Sequence, residues 1–342
     1  MNDARALPDP RARPDPGALH ESLLAYHARR PPAAVTPIVE FLDGATVTIP
    51  GPLRTVPEGV EIQDSGVYDG EGRLCPLALH RAGNLPKDNV APETLPEARA
   101  AAGETVSGRH LFAGLIGPHF GHFLVESLGR LWALDELAGP FDSLVFIRGH
   151  GPGHAPVDSF GRAVLDALAI ALPVTSVGAA TRFERLVVPS QLFGFHLRHG
   201  HPAFHAFVHN RLRGHSGDGP RAKRLYVSRG LIGDIPGEPA LEALLTERGF
   251  TIIHPETMSF AAQIAAYNGA RTILAAEGSA VHVIGLVARG DQKVGVVRRR
   301  PGQFVMGMHQ LAGFSGRTAR LFDGPADLAA LTAQLEARGF LR

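Results

Sequence analysis

Residues 224–289 constrain the fold more than any other stretch of this chain. Short apolar runs alternate there with segments whose apolar residues recur at three- and four-residue spacing, the patterns of buried strands and of one-sided helices. Gly249 follows the first helical segment where a C-cap is expected, and Ser259 precedes the second where an N-cap is expected. The pattern predicts parallel strands joined by right-handed helical crossovers.

Ligands of such sheets bind beyond the carboxyl ends of the strands. Polar or small residues follow the predicted strands of this stretch, and we expect them to meet at that edge: Ser228, Arg229, Glu256, Glu277, Gly278 and Ser279. Gly278, Ser279 and Ala280 begin a predicted helix, whose backbone N–H groups and dipole suit a phosphate. Arg229 can add a bidentate, charge-assisted contact. The alternative is that the small residues only permit tight strand-to-helix packing.

Two acidic residues of this stretch are candidates for binding ribose hydroxyls, Glu256 and Glu277. Gln263, one turn into the helix that follows Ser259, is a weaker candidate for the same site. The competing interpretation is structural, with Glu256 decorating a loop and Ser259 acting only as a cap.

Length and composition limit the function classes. The chain has 342 residues, enough for two domains, and a net charge of +1, which argues against a large nucleic-acid interface. Cys75 is the single cysteine, which excludes an internal disulfide and fits a reducing compartment. No apolar run approaches the roughly 20 residues of a membrane span, and residues 1–16 lack a signal-peptide core. We expect a soluble, cytoplasmic protein; peripheral attachment to the inner face of a membrane is compatible with the sequence.

A second informative segment is residues 120–134, which predict an apolar helix. His119, His122 and Glu126 lie near one face at its N-terminal end because they are three and four residues apart. These residues, or the histidines 201, 205 and 209, have ligand types suited to a metal. Neither set has a recognised metalloenzyme spacing, so we predict no metal site.

Four segments together resemble glycosyltransferase family 61, whose bacterial members include many capsular polysaccharide biosynthesis proteins. The likeness covers residues 110–300 and lies in Gly121-His-Phe-Leu-Val-Glu-Ser-Leu-Gly-Arg130, Leu225-Tyr-Val-Ser-Arg229, Pro255-Glu-Thr-Met-Ser-Phe260 and Glu277-Gly-Ser-Ala-Val-His282. The resemblance implies an α/β, GT-B-like fold, with two Rossmann-like domains facing a cleft. It also implies inverting transfer without an obligatory metal or other cofactor.

The resemblance assigns functions to the predicted segments. They are an N-terminal arm with a short helix (1–35), a β-rich extension attached to the N-terminal domain (36–105), a Rossmann-like acceptor domain (106–215), a Rossmann-like sugar-nucleotide domain (216–325) and a terminal helix (326–342). The β-rich extension is predicted to form hairpins with turns at Gly44 and at Asp69-Gly70, and residues 302–316 to form a loop.

The resemblance also makes His122 and Glu126 the leading candidates for the base that deprotonates the acceptor. A structural alternative is a buried His122 that caps the helix or binds a carbonyl. Arg130 lies four residues after Glu126, and an ion pair between them would weaken the assignment of Glu126 as base.

We therefore expect an inverting glycosyltransferase of surface polysaccharide or glycoconjugate assembly. Its donor is a sugar nucleotide, expected to be UDP-linked, and its acceptor a hydroxyl of a glycan, a lipid-linked glycan or another molecule. The alternatives are a non-catalytic sugar-nucleotide-binding or assembly protein and a GT-B-like epimerase. The non-catalytic alternative is motivated by Glu277, where the family commonly has histidine, and by residues 231–234, where the family often has a second arginine and this chain has none. A homo-oligomer is compatible with the sequence.

Overall fold

The computed structural model describes residues 36–49, 54–55, 61–80, 89–91, 93–97, 100, 103–116, 119–148, 159–195, 197–215, 219–299 and 305–342. The predicted arm and short helix of residues 1–35 lie outside the described residues. The chain divides into two compact units, one spanning Pro32–Ser216 and the other containing Gly217–Arg342. They are called the N-terminal and C-terminal units, and each has its own cluster of buried apolar side chains.

The strands of the N-terminal unit are β1 (Val39–Val47), β2 (Arg54–Thr55), β3 (Glu61–Asp64), β4 (Val67–Tyr68), β5 (Asn89–Val90), β6 (Val106–Leu115), β7 (Ser143–Ile147), β8 (Val174–Val177) and β9 (Thr181–Pro189). The main sheet has the order β4-β1-β9-β6-β7-β8. Strands β9, β6, β7 and β8 are parallel, whereas β1 is antiparallel to both of its neighbours. The unit is therefore a mixed sheet with a parallel portion.

The prediction of a hairpin turn at Gly44 is wrong, because Gly44 lies inside the single strand β1. This glycine has a φ of +62°, which accounts for its turn-like sequence signal. The strand continues past it because β9 pairs with β1 in the same antiparallel register before and after the glycine, from Val39 opposite Pro189 to Val47 opposite Thr181. The turn predicted at Asp69-Gly70 is present, closed by a bond from Gly72 N–H to the Asp69 carbonyl.

The helices of this unit are α1 (Phe120–His122), α2 (Ala133–Glu136), α3 (Ser159–Ala167) and α4 (Pro202–Leu212), with a π-helical turn over Phe123–Ser127. The continuous helix predicted for residues 120–134 is therefore wrong, although Leu124, Leu128, Leu131 and Trp132 of this apolar segment are buried and Phe120 is half-buried. The break has a tertiary cause. The Gly129 carbonyl accepts a hydrogen bond from Leu192 N–H at 2.8 Å, so a crossing segment of chain takes a bond that a helix would use.

The C-terminal unit is a parallel α/β layer. Its strands are β10 (Arg224–Val227), β11 (Thr251–Ile253), β12 (Thr272–Ala276), β13 (Lys293–Val297) and β14 (Arg320–Phe322), and its helices are α5 (Glu238–Glu247), α6 (Phe260–Gly269), α7 (Ala280–Val287), α8 (Val305–Ser315) and α9 (Leu328–Ala337). All described strand pairs of this sheet are parallel, in the order β11-β10-β12-β13-β14. The order reverses direction between β10 and β12, and in doubly wound folds ligands bind at such a switch point.

The predicted caps of this unit are confirmed. Gly249 follows α5 with a φ of +76°, and the Ser259 hydroxyl accepts a bond from Ala262 N–H at the start of α6. The loop predicted for residues 302–316 is wrong, because residues 305–315 form α8. This helix packs closely on α7, where Gln310 bonds twice to His282 and lies against Gly285.

The described helices include none that combines the length and the apolar character needed to cross a bilayer.

Candidate functional site

Arg229 and Gly278 meet at the switch point of the C-terminal sheet. Arg229 follows β10, and Gly278 lies in the turn between β12 and α7. A Cβ atom added at Gly278 would lie 2.6 Å from Arg229 Nη1 and 3.2 Å from its Cδ. With a side chain at position 278 the Arg229 guanidinium would have to move, since Cβ atoms essentially never come within 3.0 Å of such an atom. The structure thus brings together a guanidinium and the turn that leads into a helix.

Two arginines share one carboxylate beside this turn. Arg229 donates from Nε and Nη2 to the two oxygens of Asp234, at 3.1 and 2.8 Å, and Arg299 donates from Nη1 to Asp234 Oδ2 at 2.6 Å. The hydrogen bond from Arg229 lowers the pKa of Asp234, and Arg299 adds to this against the opposing effect of burial, so the pKa is about 2. Asp234 is therefore an anion at neutral pH, paired with both guanidinium groups.

Glu277 is tied to the segment that carries Arg299. Its N–H donates to the Val297 carbonyl at 2.8 Å, and its Oε2 accepts from Arg299 N–H at 2.9 Å. The carboxylate thus fixes the backbone just beyond β13. This bond uses part of the acceptor capacity that a ribose hydroxyl would need.

Ser228 lies at the same edge but is buried, and its hydroxyl is already engaged. The hydroxyl donates to Glu242 Oε1 of α5 and accepts from Gly230 N–H at 2.8 Å. A second carboxylate of α5, Glu238, accepts from Arg229 N–H at 3.0 Å. The two glutamates hold the turn after β10 in place, so Ser228 acts on the site through the backbone of this turn.

Three further candidates from the sequence, Glu256, Ser259 and Gln263, lie after β11. Ser259 caps α6, Gln263 is buried and donates from Nε2 to the Pro255 carbonyl at 2.9 Å, and Glu256 is exposed in a 3₁₀ turn. Gln263 Oε1 is a buried acceptor without a hydrogen-bond partner among the described residues. The negative charge of Glu256 contributes to raising the pKa of Arg229, so Glu256 lies near the switch-point edge.

The helix after the turn, α7, begins at Ala280 with Ser279 as its N-cap residue. The Ser279 side chain makes no capping bond, and in this first turn the N–H groups of Val281 and His282 donate to the carbonyls of Gly278 and Ser279. His282, in the first turn of α7, binds Gln310 and so has a structural contact.

A second cluster lies in the N-terminal unit, where Glu126 is bound by two histidines. Glu126 Oε2 lies 2.6 Å from His122 Nδ1, and its Oε1 lies 3.4 Å from His80 Nε2. His80 is buried, whereas the His122 side chain is 45% exposed. Burial works to raise the pKa of Glu126, but the hydrogen bonds from His122 and His80 outweigh it and lower the pKa to about 2. Glu126 is therefore ionised at neutral pH and orients His122.

Arg130 and Glu126, both of which the structure describes, do not form the suggested ion pair. Arg130 is buried and donates to the backbone carbonyls of Leu77, Leu79 and Pro189. Burial lowers its pKa to about 10. The π-helical turn and the break at Gly129 place Arg130 outside a regular helix containing Glu126, so the four-residue spacing does not bring the two side chains together.

The sequence patterns gave no role to two residues of these clusters, His80 and Asp234, and left open whether Arg299 ends at the cleft or in solvent. Arg299 follows a predicted strand in the same way as Arg229, and that position is the one signal that could have identified it. Among the residues that the structure describes, no group of three or more His, Cys, Asp or Glu side chains is arranged to hold a metal ion.

The fold and the two clusters of side chains define an α/β protein. At the switch point of its parallel sheet, arginine side chains lie beside a glycine-containing turn. The family model described as Glycosyltransferase 61 matches residues 120–294, slightly more than half of the chain. The chain belongs to glycosyltransferase family 61, which confirms the resemblance and identifies it as a glycosyltransferase with sugar donor and acceptor substrates. No curated protein matches it. His80 and Arg299 both lie outside the matched residues.

Proposed function

We propose that the protein is an inverting, metal-independent glycosyltransferase of the GT-B type that uses a UDP-linked sugar donor in surface polysaccharide or glycoconjugate assembly. The observation that carries the proposal is the approach of Arg229 to Gly278 at the switch point of the C-terminal sheet. A guanidinium beside the N-terminus of α7 suits a diphosphate, because both supply N–H donors and positive potential. The bacterial capsular type fits the family resemblance of the sequence.

The donor diphosphate is assigned to Arg229, Gly278, Ser279 and Ala280. As the bond between the anomeric carbon and the diphosphate breaks, its electron pair passes to the leaving group, and these donors stabilise the added charge. Glu256 and Glu277 are the candidates for the ribose, with Gln263 and Ser259 supporting the neighbouring helix. Because N–H donors and an arginine supply this stabilisation, the reaction needs no divalent ion.

The base is assigned to His122. The Glu126 carboxylate, with its depressed pKa, is a poor base, but it accepts a hydrogen bond from the Nδ1–H of His122 and so places the ring lone pair on Nε2. That nitrogen takes the proton of the acceptor hydroxyl while the hydroxyl oxygen forms the new bond to the anomeric carbon. Attack opposite the leaving diphosphate inverts the anomeric configuration.

The test is incubation of the full chain with a panel of sugar nucleotides and glycan or lipid-linked acceptors, with and without EDTA. Release of nucleoside diphosphate and an inverted linkage are expected in both conditions. His122→Ala should lower the rate about 100-fold or more, the usual contribution of a general base. His119→Ala, a change of the same type at the exposed neighbouring histidine, should leave the rate within about threefold.

Each alternative gives a distinct result in this experiment. Donor binding without turnover supports a non-catalytic binding protein, and an isomerised sugar nucleotide in the absence of acceptor supports an epimerase. Activity that is lost with EDTA and restored by a divalent ion refutes the metal-independent mechanism. An unchanged rate in His122→Ala refutes the assignment of the base.

A further inference from the structure

Arg229 and Arg299 approach the turn at Gly278 from two different strands. Arg229 follows β10 and Arg299 follows β13, while the turn itself follows β12, which lies between those strands in the sheet. Because the strands are parallel, their carboxyl ends lie at one edge, and the two arginines flank the turn. Asp234 contacts both guanidinium groups and so connects the flanking positions.

Each of the two guanidinium groups has N–H donors that make no hydrogen bond to a described residue. Arg229 binds Asp234 through Nε and Nη2, while its Nη1 faces Gly278 and makes no hydrogen bond to a described residue. Arg299 binds Asp234 through Nη1 alone, and its buried Nε has no partner among the described residues. A guanidinium presents five N–H donors, so one shared carboxylate leaves much of this capacity unused.

Arg298, the residue before Arg299, has a structural role and serves as a comparison. Arg298 is buried, with its side chain 4% exposed, and pairs with Asp323 just beyond β14. Arg299, the next residue, is 20% exposed and shares its carboxylate with a second arginine. Arg298 therefore stabilises the interior of the unit, whereas Arg299 contacts the same carboxylate as Arg229 at the carboxyl-end edge of the sheet.

We propose that Arg229 and Arg299 form a two-arginine clamp for the donor diphosphate, in which Asp234 holds both guanidinium groups until the diphosphate displaces it. This inference rests on the proposed function, because it takes a nucleoside diphosphate as the ligand. The diphosphate carries more negative charge than one carboxylate and offers oxygens to two forks, so it competes well for the same donors. Residues 231–234 contain no second arginine beside Arg229, and Arg299 supplies that second guanidinium from another strand. Asp234, in the 231–234 segment, binds both.

The clamp predicts opposite effects of two substitutions on binding of inorganic pyrophosphate and UDP to the full chain, measured by isothermal titration calorimetry. Arg299→Gln should weaken both ligands roughly tenfold or more, because a charge-assisted contact is lost. Asp234→Asn should tighten both by about threefold to tenfold, because the competing anion is removed. Arg299→Lys keeps the charge but loses the fork and should also weaken binding.

The matched controls are Arg248→Gln and Asp291→Asn, which remove exposed partners of the ion pairs with Glu336 and Arg289 in the same unit. Both should bind pyrophosphate as the wild type does. Thermal unfolding of each variant establishes that it is folded, and if Arg299→Gln does not fold, Arg299→Lys supplies the test. Absence of pyrophosphate binding by the wild type, wild-type affinity in the Arg299 variants, or unchanged or weaker binding by Asp234→Asn overturns the clamp.

Failure of the clamp and failure of the proposed function are distinguishable. If sugar transfer is observed but the Arg299 variants bind pyrophosphate normally, the clamp is wrong and the transferase stands. If no sugar nucleotide is turned over but pyrophosphate binding changes as expected in the variants, the clamp stands and the transferase assignment fails.

Discussion

At the scale of single residues, the environment of Glu126 decides which of two neighbouring groups is suited to proton transfer. Two histidines from different segments bind its two oxygens, and the carboxylate is held ionised with a pKa of about 2. A carboxylate of such low basicity is a poor base for a sugar hydroxyl, whereas an imidazole oriented by it is well suited. His80 contributes by fixing the carboxylate from the buried side.

Glu126→Gln should lower the stability of the protein in a pH-dependent way. The folded-state pKa is depressed from 4.5 to about 2, so the ionised group stabilises the fold above pH 4.5, and this is lost as pH falls toward 2. The expected difference in the free energy of unfolding at pH 7 is on the order of 3 kcal/mol. Urea denaturation at several pH values measures it.

Glu136→Gln, a change of the same type at an exposed position of α2, is the control and should be neutral within about 0.5 kcal/mol. A difference between wild type and Glu126→Gln that stays constant from pH 7 to pH 3 would contradict the electrostatic explanation.

The sequence predicted part of these clusters at the level of residues. Arg229 and Gly278 follow strands of a recognisable α/β pattern, so the rule for carboxyl ends placed them together. His80 lies 46 residues before Glu126, and Arg299 lies 65 residues after Asp234, so no local pattern joins either pair. Their contacts depend on the tertiary fold.

At the scale of elements, the packing of α8 on α7 depends on one glycine. A Cβ added at Gly285 would lie 2.6 Å from Gln310 Cδ. Gln310 is fully buried and bonds to both the ring and the carbonyl of His282, so its side chain has little freedom to move away. The two helices approach closely because position 285 carries no side chain.

Gly285→Ala should therefore destabilise the protein by about 1–3 kcal/mol, as overpacking of a filled interior does, despite the better helix propensity of alanine. Gly269→Ala is the matched control, because the added Cβ at the end of α6 has no atom within 4 Å. Thermal unfolding of both variants measures the difference. Equal stability of the two variants would show that Gln310 is able to rearrange.

Elements with strong local signals were predicted closely, and those set by tertiary contacts were not. Strands β7 and β13 coincide with apolar runs of the sequence and α4 begins at a proline, so local signals define the bounds of these elements. Residues 305–315 contain glycine and methionine in a sequence that looks like a loop, yet they form α8 because α7 supplies the buried surface.

At the scale of the whole molecule, each unit carries its own apolar core. The buried cluster of the C-terminal unit includes Tyr226, Leu241 and Phe340, and that of the N-terminal unit includes Val47, Phe112 and Val188. A unit with its own core has the property that allows a domain to fold alone.

A fragment of residues 219–342 should therefore fold cooperatively and bind UDP and inorganic pyrophosphate within about threefold of the full chain. It should catalyse no sugar transfer, because His122 is missing. Circular dichroism and calorimetry on the fragment test both expectations. The same fragment with Arg229→Ala, which removes one arm of the clamp, should fold but bind at least tenfold more weakly. A fragment that stays unfolded would contradict the independence of this unit.

The placement of β1 beside β9 also has a consequence for synthesis. The bond from Ile38 N–H to Ser190 Oγ, which closes one end of this pairing, joins residues 152 positions apart, whereas β10 and β11 are linked by a single helical crossover. During translation β1 leaves the ribosome long before its partner exists, and such distant pairing slows folding. Until β9 has emerged, the edge of β1 that β9 later covers is unpaired, and an unpaired strand edge needs protection from aggregation.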